Sequence, residues 1–330
     1  MNALRFAGTR LASMVFVLLA VSLLTYAIFV LLPADPAQLA CGRPCTPERL
    51  ETARAFMGLD QNFLVQWWNF VTGIVTGRTY GSAGAEITCP APCLGYSFVL
   101  RQPVTDLIVG RLPVTFSIAI GAAVLWLLAG VAGGVVAAVR RGTAVDRAIM
   151  VTAITGVSAP SYLVGLLGIL LFGFTLDMVP VNGYVPLTTS PVDWAWHLVL
   201  PWCVLAFLSA AIYARLTRAQ MLDALGSEYV RTARAKGITE RRVVTRHALR
   251  NVMVPVVTLF GLDLGVLLGG TVITEKVFSM AGLGALLLDA VGNTDVPLLV
   301  GVTFFSAALI VVANLLVDVV YGVMDPRVRA

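Results

Sequence analysis

Residues 228–250 read EYVRTARAKGITERRVVTRHALR, and they separate two long apolar stretches of the chain. The segment contains six arginines, one lysine and one histidine, but only two acidic residues. The flanking stretches, residues 196–216 and 252–274, carry almost no charge. We do not expect a basic, structured loop between two membrane spans to be a passive connector. Its chemistry indicates a surface that another protein contacts from the cytoplasm.

The order of residues in this segment predicts two helices joined at a glycine. Ser227 is a favourable N-cap, and Glu228 follows it where the N-terminus of a helix stabilises negative charge. Gly237 supplies the left-handed residue that ends a helix. Thr239 and Glu240 are then placed to begin a second helix. We call residues 228–250 the elbow.

The composition is that of an integral membrane protein. Of the 330 residues, 58% are hydrophobic and only 12% are charged, whereas a soluble domain carries about 25% charged residues. Six apolar stretches are long enough for a helix to cross the bilayer, which takes about 20 residues. Because backbone groups in lipid must bond within their own segment, we predict an all-α protein with six transmembrane helices. The predicted spans are Leu11–Leu32, Val114–Val139, Ala148–Phe174, Trp196–Leu216, Val252–Thr274 and Leu298–Val323.

Lysine and arginine residues orient these spans. With the N-terminus in the cytoplasm, 16 of the 23 basic residues lie on the cytoplasmic side, as the positive-inside rule requires. We therefore predict that both termini and the elbow are cytoplasmic. The chain then divides into residues 1–32 with the first span, an extracytoplasmic segment 33–112, and a core 113–330 whose loop 218–251 contains the elbow. The net charge of +5 follows from this topology and does not indicate nucleic-acid binding.

Four of the five cysteines lie in the outer segment as two C-x3-C pairs, Cys41/Cys45 and Cys89/Cys93. An oxidising outer compartment favours disulfides, and all three pairings of these four cysteines remain open. A zinc site is the less favoured alternative, because no histidine lies near them. Disulfides there would stabilise the shape of the outer surface. An equal alternative is that the cysteine-containing loop has no function.

The chain lacks the motifs of an enzyme. A phosphate-binding loop needs Gly-Lys-Ser/Thr, and neither Lys236 nor Lys276 stands in that context. The two histidines, His197 and His247, are predicted on opposite sides of the membrane. We therefore predict no catalytic site, no metal and no cofactor in this chain. If this chain works in an ATP-driven process, the energy must enter from a partner, and the basic elbow is the natural point of entry.

Two polar features inside the spans have two interpretations each. Asp263 is predicted near the middle of the fifth span, where a carboxylate is costly unless it faces a cavity or a partner group. It either lines a translocation path or is hydrogen-bonded at a helix interface. In the third span, Ser158, Pro160 and Tyr162 mark a helix break, which is either a hinge lining that path or a static kink.

The sequence YVRTARAKG, followed by RHALRN and a downstream proline, resembles the cytoplasmic coupling motif of ABC-importer permeases, in particular the dipeptide/oligopeptide branch. Other segments in the same order support this: LLPADPA, RQPVTDLIVGRLPVT, VSAPSYLVG, EKVFSMAGLGALLLDAV and DVVYGVMDPRVR. The broader motif has Glu-Ala-Ala ahead of its glycine, and the presence of Arg231 and Thr232 before Ala233 is characteristic of the peptide branch. The resemblance implies these contacts with an ATPase: Glu228, Tyr229, Arg231, Thr232, Ala233, Arg234, Lys236 and Gly237.

The resemblance implies a machine of several subunits in the plasma or inner membrane, with lipid around its spans. This chain and a second, homologous permease would form the path for a peptide. If Asp263 lines that path, its carboxylate would attract the amino terminus of the peptide. Two ATP-binding subunits would hold ATP and magnesium at the cytoplasmic face, and an extracytoplasmic peptide-binding protein would deliver the cargo. The alternatives are the same machinery carrying nickel chelates or glutathione, an ion-coupled carrier, and a non-transporting membrane scaffold.

Overall fold

The computed structural model describes residues 3–31, 37, 46–81 and 86–324, and most of these are helical. The chain forms two compact units: Met1–Thr115 with Ala281–Val311, and Phe116–Met280 with Val312–Ala330. The helices are α1 (Ala3–Leu31), α2 (Pro47–Met57), α3 (Phe63–Thr76), α4 (Val104–Val139), α5 (Ala144–Ser158), α6 (Ser161–Gly168), α7 (Pro191–Gly226), α8 (Glu228–Ala235), α9 (Glu240–Arg242), α10 (Leu249–Leu268), α11 (Val272–Val277), α12 (Leu283–Gly292) and α13 (Val296–Met324). Two π-helical segments, Ile169–Thr175 and Val243–Ala248, follow α6 and α9. The strands are β1 (Arg78–Tyr80), β2 (Ile87–Cys89), β3 (Tyr96–Ser97) and β4 (Gln102–Pro103), paired antiparallel as β1–β2 and β3–β4.

In the first unit, helix α3 packs on the N-terminal helix α1. The indole N–H of Trp67 donates to the Ser22 hydroxyl at 3.1 Å. On the same helix, the Phe70 ring meets Phe304 of α13 edge-on, with ring centroids 5.6 Å apart. These contacts anchor α3 on apolar helices of its own unit.

In the second unit, α4 and α7 approach each other at glycines. A Cβ on Gly130 would lie 2.5 Å from the Cβ of Tyr213, and a Cβ on Gly134 would lie 2.5 Å from the Cβ of Thr217. Small residues of this kind let the backbones of membrane helices come into contact. The buried core beside them is formed by Trp126, Tyr213, Met221, Val252 and Val256.

Among the described residues, four helices are long and apolar enough to cross a membrane: α4, α7, the continuous helix Glu240–Leu268 and the Val296–Leu316 part of α13. The bent pair formed by α5 and the helix Ser161–Thr175 adds a fifth if the two form one span, and the apolar stretch Ala12–Ile28 of α1 is shorter. The expected all-α integral membrane protein is confirmed. The number of six spans and the orientation stay predictions.

The third predicted span is sharply bent in the structure, and the fifth is shorter than predicted. The third was expected over Ala148–Phe174 with a break at Pro160, and its two parts meet at 107° around Pro160, which lacks an N–H to continue the hydrogen-bond ladder. The fifth was expected to reach Thr274, but α10 ends at Leu268. Gly270, with φ of 130°, then redirects the chain into α11.

Candidate functional site

The elbow folds as two helical arms joined at Gly237, as the sequence predicts. The first arm is α8, and the second begins with α9 and runs without a break into α10. Gly237 has φ of 74°, in the left-handed region that favours glycine. Its N–H donates to the Arg234 carbonyl at 2.9 Å, and the N–H of Ile238 donates to the Ala233 carbonyl at 3.3 Å. These bonds satisfy carbonyls at the end of α8 that have no partner inside the helix.

A small apolar core holds the two arms together. Val230 and Ala233 of α8 are buried against Val243 of the second arm, and Ile238 covers them. Ala233 is only 6% exposed, which corrects the expectation that it lies on the contact surface. Its small side chain instead lets the two arms of the elbow approach each other.

An ion pair bridges the arms. Arg234 of α8 donates from Nη2 and Nε to the two carboxylate oxygens of Glu240 at 2.6 and 3.1 Å. These hydrogen bonds from the guanidinium raise the pKa of Arg234. Arg231 and Glu228 pair at 2.9 Å within α8. Exposed pairs contribute at most about 1 kcal/mol to stability. The Arg234 bridge therefore acts mainly on the angle between the arms and adds little to the stability of the protein.

The predicted capping side chains behave differently from expectation. Ser227 and Thr239 both occupy N-cap positions, but neither side chain accepts a capping hydrogen bond. The Ser227 hydroxyl donates instead to the Ala224 carbonyl at 2.5 Å. Ser227 therefore ties the start of the elbow to the end of α7.

The rest of the predicted contact set lies on the surface. The exposed members are Glu228, Tyr229, Arg231, Thr232, Arg234, Lys236 and Gly237. Four arginines of the second arm are exposed as well, and within the described part of the chain no carboxylate pairs with them: Arg241, Arg242, Arg246 and Arg250. The elbow therefore presents a positive surface that is complementary to carboxylates of a partner.

The candidates for a translocation path are found in two separate places in the second unit. Asp263 is half-buried and accepts a hydrogen bond from the hydroxyl of the fully buried Tyr213 at 2.7 Å. Ser158, Pro160 and Tyr162 lie at the bend between α5 and α6, and all three are exposed. Among the described residues, no hydrogen bond joins this group to Asp263. The geometry of Asp263 therefore agrees with its second interpretation, a carboxylate bonded at a helix interface.

One predicted disulfide is formed. Cys89 and Cys93 are bonded, with their Cα atoms 5.6 Å apart, while Cys41 and Cys45 lie outside the described residues. Cys203 is a free, exposed thiol. In the described ranges, no group of three or more His, Cys, Asp or Glu side chains could hold a metal ion.

Two family models match the chain. The binding-protein-dependent transport system inner membrane component matches residues 130–330, and the N-terminal model of this membrane component matches residues 3–119. The chain belongs to this family. A putative peptide transport system permease protein of Brucella abortus is 39% identical over 320 residues, 97% of each chain. The dipeptide transport system permease protein of Escherichia coli is 35% identical over 350 residues, 99% of each chain. The glutathione transport system permease protein of Escherichia coli is 37% identical over 320 residues, 97% of each chain.

Family membership settles the class of protein. The chain is a permease subunit of an ABC transporter, a multi-pass protein of the inner membrane, and not an enzyme. The resemblance found in the elbow motif is thereby confirmed. An ion-coupled carrier and a non-transporting scaffold are no longer supported.

The permease also contains an ion pair that sequence reasoning missed. Asp146, 4% exposed at the start of α5, accepts from Arg218 Nε and Nη2 of α7 at 2.6 and 2.8 Å. The N–H of Gly142 donates to the same carboxylate at 2.9 Å. Arg218 lies about three helical turns before the elbow, so this pair fixes the helix that leads into it. The one signal in the sequence was an acid in a loop otherwise rich in arginine.

Proposed function

We propose that this permease is one of two membrane subunits of an ATP-driven peptide importer. A second, homologous permease completes the translocation path, two ATP-binding subunits hold ATP and magnesium at the cytoplasmic face, and an extracytoplasmic binding protein delivers the peptide. We also propose that the chain has six spans with both termini in the cytoplasm. After residues 1–32, segment 33–112 would lie beside the binding protein. Loop 218–251 of the core 113–330 would lie beside the ATPases.

The geometry of the elbow carries this proposal. Its arms are held in one shape by the buried core of Val230, Ala233 and Val243 and by the Arg234 bridge. The second arm continues to Leu268 as one helix of 29 residues, about 43 Å long at 1.5 Å per residue. A partner that binds α8 therefore moves a long apolar helix through a joint at Gly237 that the core and the bridge hold in one shape. This is the property that a subunit needs to convert a nucleotide cycle elsewhere into motion of its own spans.

Two glycines provide a matched test of this role. A Cβ on Gly237 or on Gly226 would meet nothing within 4 Å, but only Gly237 has a positive φ. Valine at Gly237 must adopt a left-handed backbone, at about 1–2 kcal/mol, or change the bend. We expect Gly237→Val to abolish most ATP-driven dipeptide uptake by the assembled importer in proteoliposomes, and Gly226→Val to retain it. Uptake unchanged by Gly237→Val, in a complex of normal composition, would contradict the proposal.

The orientation has an independent test. The Lys236→Cys variant, changed at an exposed position of the elbow, should react with a membrane-impermeant maleimide only from the cytoplasmic side. The Trp68→Cys variant, changed at an exposed position of α3, should react only from outside. Both variants carry Cys203→Ser, and the labelling of that parent is subtracted. Reaction of the Lys236→Cys variant from the outer face would overturn the N-in, C-in topology and the coupling role together.

The relatives support a peptide cargo. Two are named for peptide or dipeptide transport, and one for glutathione, itself a modified tripeptide. Glutathione is therefore the second candidate. The uptake assay decides between them when unlabelled dialanine and unlabelled glutathione are each added as competitors of labelled dialanine. The true cargo inhibits uptake at the lower concentration.

Asp263 lines the translocation path only if its carboxylate contacts the cargo. Asp263→Asn keeps an oxygen that can accept from Tyr213 but removes the charge. A fall in uptake of peptides with a free amino terminus, and not of amino-acetylated peptides, supports a path role. Equal effects on both cargoes assign Asp263 to the interface between α7 and α10.

A further inference from the structure

A polar pocket lies in the outer segment of the first unit. It has a volume of about 370 Å³, and the residues that line it include Gln61, Asn69, Thr72, Arg78 and Thr79. The amide nitrogen of Asn69 donates to Gln61 Oε1 at 3.0 Å, which leaves the Gln61 amide nitrogen as a donor. The volume falls within the range of small-molecule sites, about 300–1,000 Å³. Among the described residues that line the pocket there is no acidic side chain.

Arg78 supplies the positive charge of this pocket. Its side chain is half-buried, and the guanidinium carbon lies 4.9 Å from the centre of the Tyr80 ring. No carboxylate in the described part of the chain lies within ion-pair distance of it. The half-buried Arg218, by contrast, donates to both oxygens of Asp146. One of the five N–H donors of Arg78 is used in a hydrogen bond to the Tyr80 side chain. A guanidinium drawn partly out of water is stabilised by an anion, and the remaining donors of Arg78 are available for an acidic ligand.

The fold fixes the position of Arg78. Its aliphatic stem packs on Gly73, where a Cβ would lie 3.6 Å from it. In the β1–β2 pair Arg78 is opposite Cys89, which is disulfide-bonded to Cys93. The Cys93 N–H in turn donates to the Gly73 carbonyl at 3.3 Å. Strand pairing and the disulfide thus hold the cation in place before any ligand arrives, which lowers the entropy cost of binding.

We propose that this pocket binds the carboxylate of a small ligand through Arg78. A planar guanidinium holds a carboxylate by two parallel hydrogen bonds. The amides of Gln61 and Asn69 and the hydroxyls of Thr72 and Thr79 suit the peptide group beside a terminal carboxylate. That the ligand is the C-terminal end of a short peptide rests on the proposed function. The pocket then gives the permease its own preference for peptides with a free carboxyl terminus.

The first test uses the unaltered full-length chain in lipid nanodiscs, without partner subunits. Saturation-transfer NMR compares dialanine with dialaninamide, which lacks the carboxylate but is otherwise the same size. We expect dialanine to bind about tenfold or more tightly, because a hydrogen bond between charged groups is lost in the amide. Equal binding of the two compounds, or no binding of either, overturns the proposal. This comparison does not depend on the folding of any variant.

Variants then locate the site. Arg78→Gln should lower dialanine binding to the level of the amide, and Thr79→Val should weaken it less. Arg101→Gln is the matched control, since Arg101 is exposed on the same segment and does not line the pocket. Dialanine binding unaffected by Arg78→Gln overturns the proposal. The proposal is also overturned if Arg78→Gln nanodiscs capture less of the extracytoplasmic binding protein while dialanine and dialaninamide bind equally. The carboxylate that Arg78 recognises would then belong to that protein.

The inference and the proposed function can fail separately. ATP-driven uptake of dialanine by the assembled importer tests the function, and binding of dialanine to this chain alone tests the pocket. Normal uptake with no carboxylate-dependent binding to the permease removes the pocket and leaves the function intact.

Discussion

Substitution of a single glycine tests how closely α4 and α7 pack. A Cβ on Gly134 would lie 2.5 Å from the Thr217 Cβ and 2.7 Å from the Ala214 carbonyl oxygen. The second of these atoms belongs to the backbone of α7, so a side-chain rotation cannot relieve the contact and the helices must separate. Gly133, its neighbour on α4, faces atoms of Ile149 and Ala214 no closer than 3.8 Å. Gly133→Ala is therefore a matched control for Gly134→Ala.

The difference between the two variants isolates the steric effect. Alanine is favoured over glycine inside a helix by about 1 kcal/mol, and this gain is common to both substitutions. What remains for Gly134→Ala is the overpacking of a tight interface, about 1–3 kcal/mol. The contact with an immobile carbonyl puts the expected value toward the upper end of that range. Gly133→Ala is accordingly expected to be as stable as the parent protein or more stable.

Thermal unfolding of both variants in the same detergent measures this difference. We expect Gly134→Ala to unfold at a lower temperature than the parent, and Gly133→Ala at the same temperature or higher. The interface also positions Arg218, which follows Thr217 on α7. Uptake by the assembled importer should therefore fall in Gly134→Ala and not in Gly133→Ala. If Gly134→Ala unfolds at or above the temperature of Gly133→Ala, the α4–α7 contact is looser than the structure shows, and this reasoning is refuted.

Three further predictions concern other parts of the permease. Burial raises the pKa of Asp295, so the stability linked to its protonation is complete below about pH 4 and is lost as the pH rises through the raised pKa. Asp295→Asn should flatten that dependence in unfolding scans from pH 4 to 7. Reduction of the Cys89–Cys93 disulfide, whose cysteines are four positions apart, should cost about 2 kcal/mol. Cys89→Ser/Cys93→Ser should unfold like the reduced parent with or without reductant. Glu240→Gln breaks the bridge between the arms and should lower ATP-driven uptake with a stability loss of at most about 1 kcal/mol, whereas Asp223→Asn, an exposed acid of α7, should leave uptake unchanged.

The elbow was accessible from sequence because its signals are local. The helix, the left-handed Gly237 and the second helix each depend on residues within a few positions of one another. The apolar stretches likewise located the spanning helices, but not their ends. Helix α4 begins at Val104, well before the predicted Val114, and Pro113 lies inside it. Apolarity reports the depth of the bilayer, whereas a helix continues into water wherever its backbone stays bonded.

Features that depend on tertiary structure were not accessible. Asp146 and Arg218 are 72 positions apart, and nothing in either neighbourhood identifies the other as its partner. Pro160 marked a break in the third span, but its 107° angle depends on how α6 packs. The resemblance placed Ala233 among the residues that contact an ATPase. The sequence did not show that the contact is with the other arm of the elbow.

The two arms of the elbow are attached to the spans in different ways, and on the proposed function this difference decides which helix responds to a partner. Between α8 and α7 there is one extended residue, Ser227, and α7 is held to α5 by the pair of Arg218 with Asp146. The second arm has no such break and continues directly into α10. A force on α8 therefore meets resistance in α7 and is delivered to α10. Movement of α10 past α7 must strain or break the hydrogen bond from Tyr213 to Asp263. On the interface interpretation, Asp263 would act on transport through the equilibrium between two arrangements of these helices, without contact with the cargo.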